Sequence, residues 1–118
     1  RARAAPSLFR MQISAVRHPR ALVISLNGRL DALSADETLQ TVLTHLGDEK
    51  HLVLDLHGVD YLSSAGIRVL LVLAKRTGSS PDGHFAIALP TPTVRRILCD
   101  SGLDACLGLT DDLASVAD

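Results

Sequence analysis

The sequence predicts an α/β fold: a mixed β-sheet opened by an antiparallel hairpin, with about four helices packed against it. Two observations carry this. Short β-rich runs alternate with stretches of helical periodicity along the chain, the pattern of strand–helix–strand units. The first two β-rich runs, however, have only Arg17-His18-Pro19-Arg20 between them, a connection that suits a hairpin and not a crossover. A third observation sets the scale. The chain has 118 residues, enough for one domain with a core that needs no metal or disulfide.

The elements follow in order. Leu8 to Val16 is the first strand and Ala21 to Leu26 the second, where Leu22, Ile24 and Leu26 alternate with Val23 and Ser25. Asn27-Gly28-Arg29-Leu30-Asp31 reads as a loop. A helix then begins with Ser34 as N-cap and Asp36 and Glu37 in the first turn; Leu39, Val42, Leu43 and Leu46 recur at helix spacing, and Gly47 closes it. The apolar run His51 to Leu56 predicts a strand buried in the sheet. Gly58 to Leu62 reads as the loop that leads into Ser63-Ser64-Ala65-Gly66 and a helix over Ile67 to Arg76. Its core stripe is predicted as Ile67, Leu70, Leu71 and Ala74, flanked by Val69 and Leu73. Gly78 to Gly83 is a turn cluster and His84 to Leu89 a strand. Pro92 suits the first turn of a helix running to Asp100 and stopped by Ser101-Gly102. A short apolar piece, Ala105 to Leu109, precedes a terminal helix over Asp111 to Val116. Residues 1 to 7 read as a disordered tail or tag remnant and residues 8 to 118 as one domain.

Composition removes several function classes. Twelve Lys and Arg against thirteen Asp and Glu give a net charge of −1, so no global basic field draws the chain to nucleic acid or anionic lipid. Phe, Tyr and Trp make up 3% of residues, too few for base-stacking platforms. The longest apolar run of interest, Val69 to Ala74, is far short of a membrane span. Cys99 and Cys106 have no zinc-type spacing and read as buried apolar residues of a protein in the reducing cytoplasm. No dinucleotide, P-loop, zinc-protease or hydrolase-elbow signature occurs, and the five histidines do not pair at helical spacing. Neither an enzyme nor a cofactor- or metal-binding protein is expected.

The informative segment is Val59 to Ile67. A strand-following loop delivers two hydroxyls, Ser63 and Ser64, to a helix start, where N–H groups and the dipole favour an anion. Either serine can be a plain N-cap; either can be a phosphorylation switch that adds about −1.5 to −2 charge on an exposed helix end. Farther along the helix, Val72 lies among Arg68, Lys75 and Arg76, one apolar residue among cations, as on a contact surface.

In their order and spacing these residues resemble a STAS domain of the anti-sigma-factor-antagonist type, over residues 8 to 116. The marks are Leu26-Asn27-Gly28-Arg29-Leu30-Asp31, Leu52-Val53-Leu54-Asp55-Leu56 before Tyr61-Leu62-Ser63-Ser64-Ala65-Gly66-Ile67, the amphipathic helix behind it, and Thr91-Pro92-Thr93-Val94-Arg95-Arg96-Ile97-Leu98 with Ser101-Gly102-Leu103. The resemblance implies a binding module that engages an anti-sigma factor, a serine kinase of the histidine-kinase-like ATPase type, frees a sigma factor, and is switched off by serine phosphorylation. Alignment on Gly66 places the acceptor at Ser64, with Ser63 as its rival in the place where the family often has Asp. The acidic partner-contact residue falls on Asp31. The implied partner surface is Asp31, Ser63, Ser64, Gly66, Arg68 and Val72, on a monomer or weak dimer that neither binds nucleic acid nor inserts into membranes. Two other readings remain at this stage. One is a non-enzymatic STAS subunit or excised cytoplasmic domain of a stress-signalling complex or a lipid or anion transporter. The other is an enzyme with Ser64 as nucleophile and His57 and Asp60 as its helpers. For Asp31 the alternative to partner contact is a solvated loop acid or a helix cap.

Overall fold

A computed structural model describes residues 11–118. Five strands, β1 (Gln12–Arg17), β2 (Leu22–Leu30), β3 (His51–Leu62), β4 (His84–Ala88) and β5 (Leu109–Thr110), form one sheet in the order β1-β2-β3-β4-β5. β1 and β2 are the predicted antiparallel hairpin, and every later pairing is parallel. The helices are α1 (Ala35–Leu46), α2 (Ser64–Gly78), α3 (Pro92–Asp100) and α4 (Leu113–Ala117). The predicted tail, residues 1 to 7, and the start of the first strand at Leu8 lie outside the described residues.

The topology follows from handedness. Parallel strands joined in sequence by right-handed crossovers put every connecting helix on the same side of the sheet. Accordingly α1, α2 and α3 share one core: Val42 and Leu46, Val69, Leu70 and Leu73, and Val94 and Leu98 pack on Ile24, Leu26, Leu52, Leu54, Leu56 and Ile87. The opposite face has no crossover to cover it. There Val23, Val53, Ala86 and Ala88 meet α4, through Ala117, Leu113 and Val116. The central strand reads apolar at both parities over residues 52–56 because both of its faces are buried there.

Four expectations are corrected. First, β2 and β3 run on through the segments read as loops. Asn27-Gly28 and Gly58 look like turn signals, but β3 absorbs them as irregularities: Ser25 faces Asp55 while Asn27 faces Gly58, and Gly28 faces Val59 while Arg29 faces Tyr61. β3 thus gains one residue on β2 at each place, the signature of a bulge. A Cβ on Gly58 would lie 2.9 Å from Asn27 Cγ. Second, the buried stripe of α2 is Gly66, Val69, Leu70, Leu73 and Thr77, while Leu71 is 40% exposed. Hydropathy gives no weight to Gly66 or Thr77, yet Gly66 allows close approach and Thr77 satisfies its hydroxyl on Leu73 O at 3.1 Å. Third, Cys99 and Cys106 are exposed. α3 buries Val94 and Leu98, which turns Cys99 outward, and Cys106 sits in a turn with its thiol 3.4 Å from Leu103 O. Fourth, Ser34 occupies the N-cap position of α1 without making a side-chain cap.

Candidate functional site

The site lies where β2 and β3 end together. Leu30 and Leu62 are register partners, both buried, so the next residues of the two strands, Asp31 and Ser63, emerge side by side. A backbone bond from Ser63 N to Leu30 O at 3.0 Å ties the two exits.

Ser63 is in extended conformation, φ −91° and ψ 177°, and its hydroxyl accepts from Gly66 N at 3.3 Å. It is therefore the N-cap of α2, and Ser64 is the first helical residue. Ser63 is half-buried and Ser64 exposed. Gly66 is buried against β2: a Cβ there would stand 2.4 Å from Leu30 O and 2.8 Å from Leu62 Cδ1. This glycine sets how closely the helix start approaches the strand ends, and so where Ser63 and Ser64 are held. The first turn of α2 contains no acid, so no carboxylate of that turn offsets the positive end of its dipole.

Asp31 is held locally. Its Oδ1 accepts from Leu33 N at 3.0 Å, and its Oδ2 is 3.4 Å from Arg29 Nε. Ser34, 1% exposed, donates to Arg29 O at 2.7 Å and accepts from Asp31 N at 3.2 Å. The Arg29–Ser34 segment is thus a hydrogen-bonded turn in front of α1, and Asp31 is a turn-forming acid still partly open to solvent. It projects Leu33, 68% exposed, outward. Arg29 also stacks on Tyr61, with its guanidinium 4.3 Å from the ring centroid.

Arg68 and Val72 are exposed on α2 at one and two turns beyond Ser64. Val72 is 38% exposed and neighbours the exposed Leu71. The structure therefore brings Asp31, Ser63, Ser64 and Gly66 to one corner and extends that corner along α2 through Arg68 and Val72. Sequence reasoning missed three flanking side chains, Leu33, Tyr61 and Leu71. Leu33 was findable as an apolar residue in a polar turn; Leu71 was masked by the misplaced stripe.

The triad reading of His57 and Asp60 does not match the geometry. His57 Nδ1 lies 2.9 Å from Asp55 Oδ1, and Asp55 Oδ2 accepts from Ser25 Oγ at 3.1 Å. Asp55 also accepts from His57 N at 3.1 Å, so it secures the first bulge of β3. Among the described residues no three His, Cys, Asp or Glu side chains gather as a metal would need. No helix among them is long and apolar enough to cross a membrane.

Comparison with known proteins agrees with this geometry. The STAS domain family model matches residues 12–116. A Bordetella bronchiseptica protein assigned as an anti-sigma factor antagonist, BtrV, is 35% identical over 83 residues, 69% of this chain and 70% of that protein. A beta sliding clamp of Synechococcus elongatus is 30% identical over 95 residues, 78% of this chain, but the chain spans only 24% of that protein. Among solved structures, an anti-sigma factor antagonist from Mycobacterium paratuberculosis superposes with a TM-score of 0.77 at 25% identity, over 90% of each chain. The chain belongs to the STAS domain family, the family of the anti-sigma factor antagonists.

Proposed function

We propose that the chain is an anti-sigma factor antagonist: a non-enzymatic binding module that engages an anti-sigma factor kinase through the Asp31–Ser64 corner and α2, and that phosphorylation of Ser64 switches it off. The single observation that carries the reading is the division of labour between the adjacent serines. Ser63 spends its hydroxyl on the cap of α2, while Ser64 stands exposed one residue further on.

The chemistry follows. A phosphate on Ser64 sits at the positive end of α2, where the fold tolerates it. A docked partner does not, because a dianion on a desolvated contact costs a few kcal/mol, enough to lower affinity more than about tenfold. Binding is lost without unfolding. Leu33, Leu71 and Val72 supply apolar contact area, and Arg68 gives the surface a cation that an acidic kinase segment can meet.

The test is a co-purification from the native cell followed by a kinase assay with the recovered ATPase. Wild type and Ser63→Ala should be labelled and Ser64→Ala should not. Full labelling of Ser64→Ala would sink the assignment, and recovery of a transporter subunit in place of a kinase would move the chain to the accessory-domain reading. Ser64→Asp should keep its melting temperature within a few degrees and lose the partner.

A further inference from the structure

At the end of the sheet opposite Ser64, where the parallel strands begin, a cleft of about 630 Å³ is lined by Arg17, Arg20, His51, Asp82 and His84. His51 and His84 are register partners at the first positions of β3 and β4, so their imidazoles flank one another. Ser115 and Val116 of α4 close one side, and Pro19 and Pro81 form apolar walls. The volume is in the range of small-molecule sites.

Counting charges decides what the cleft prefers. Arg17 is paired with Glu49, and His51 Nδ1 lies 3.6 Å from the other oxygen of the same carboxylate. Asp82 accepts from Ser80 Oγ at 2.6 Å and sits 3.4 Å from Lys50 Nζ; these partners, Ser80 first, hold its carboxyl below the ordinary value. Each acid near the cleft is therefore matched. Two donors are left over. Arg20 donates from Nη2 to Ser115 O at 2.6 Å and meets no carboxylate among the described residues, and the His84 ring has no partner among them. The surplus is a guanidinium, suited to two parallel hydrogen bonds to a tetrahedral oxyanion, and an imidazole lining the same cleft that can add a third.

We propose that this cleft binds the phosphate group of a small phosphorylated molecule, with Arg20 and His84 on the phosphate and Pro19, Pro81 and Val116 against its body. The site is independent of the Ser64 reading, since it lies at the other end of the strands and shares no residue with that corner.

Titration of the ¹⁵N-labelled chain with inorganic phosphate, followed by amide shifts, tests it. Saturable shifts are expected at Arg20, His51 and His84 and not at Ser64. His84→Gln, which removes no packing, should weaken phosphate binding several-fold, and Arg20→Ala should weaken it about tenfold or more. Because Arg20 also holds Ser115, the α4 shifts of Arg20→Ala are compared with those of wild type, and unchanged shifts there assign its loss of affinity to the site and not to the fold. Glycerol phosphate should bind more tightly than phosphate alone. The same shifts under sodium chloride at matched ionic strength, unaltered affinity in His84→Gln and Arg20→Ala together, or a response only to phosphatidic acid vesicles would each overturn the proposal.

Discussion

Two serines precede two helices at the same end of the sheet, and they do opposite things. Ser34, before α1, has helical backbone angles, φ −110° and ψ −12°, and is buried; its hydroxyl turns back to Arg29 O and Asp31 N. Ser63, before α2, is extended, and its hydroxyl reaches forward to Gly66 N. The backbone state of the residue, not its identity, decides whether the side chain tethers the incoming strand or caps the outgoing helix. The consequence differs too. The α1 start is closed on itself, whereas the α2 start ends in an exposed hydroxyl on Ser64 that no part of the fold requires.

The contrast can be broken most severely at Gly66. Gly66→Val should push α2 off Leu30 and cost about 3 kcal/mol or more in urea unfolding, because the tightest clash is with the backbone carbonyl of Leu30, which cannot yield as the Leu62 side chain can. Stability within about 1 kcal/mol of wild type would show that the helix start is not held by the strand ends. Next in size, Ser34→Ala should cost about 1–2 kcal/mol by stranding Arg29 O and Asp31 N in a partly buried turn, while Ser63→Ala should cost about 0.5–1 kcal/mol, as expected for losing a long cap bond. Equal losses would erase the distinction drawn here. Asp31→Asn retains an acceptor for Leu33 N, so its melting temperature should change little; a weakened complex at unchanged stability would place Asp31 on the partner surface, and intact binding would confine it to the turn. The smallest effect lies outside the corner. Partial burial on its own would raise the Glu49 carboxyl, but the His51 N–H, Arg17 and the Lys50 N–H outweigh it and hold the group below its ordinary 4.5. A lowered folded value means that the stability Glu49 adds is fully present above pH 4.5 and lost as pH falls through the lower value. Glu49→Gln should flatten acid unfolding in that range and leave the neutral-pH midpoint slightly reduced.

Much of this was legible in the residues. The hairpin, the alternation of elements and the helix over Pro92–Asp100 follow from patterns of period and punctuation that act locally. The same patterns failed where a neighbouring strand decided the outcome. Asn27, Gly28 and Gly58 are turn residues by propensity, yet β2 and β3 keep pairing through them because Leu30, Val59 and Leu62 gain more by being buried. The face of α2 was misjudged by one position because its burial is set by α1 and the sheet together, which accept Gly66 and Thr77 and leave Leu71 outside. Ser64 was identified by alignment with a family pattern; the division of hydroxyls between Ser63 and Ser64 needed the backbone angles.

The sheet order repeats the chain order, and this bears on how the protein is made. As the polypeptide leaves the ribosome, each strand finds its neighbour already synthesised, so assembly can advance in one direction without waiting for a distant segment. The exception is α4. Until residues 113–117 emerge, Val23, Val53, Ala86 and Ala88 form an uncovered apolar strip on a nearly finished sheet, the kind of surface that chaperones hold and that aggregates at high concentration. Closure then comes with α4, when Arg20 N finds Ala117 O and His18 finds Asp118. A nascent chain stalled before Leu113 would be a sticky intermediate, and the docking of α4 is the step that makes it safe.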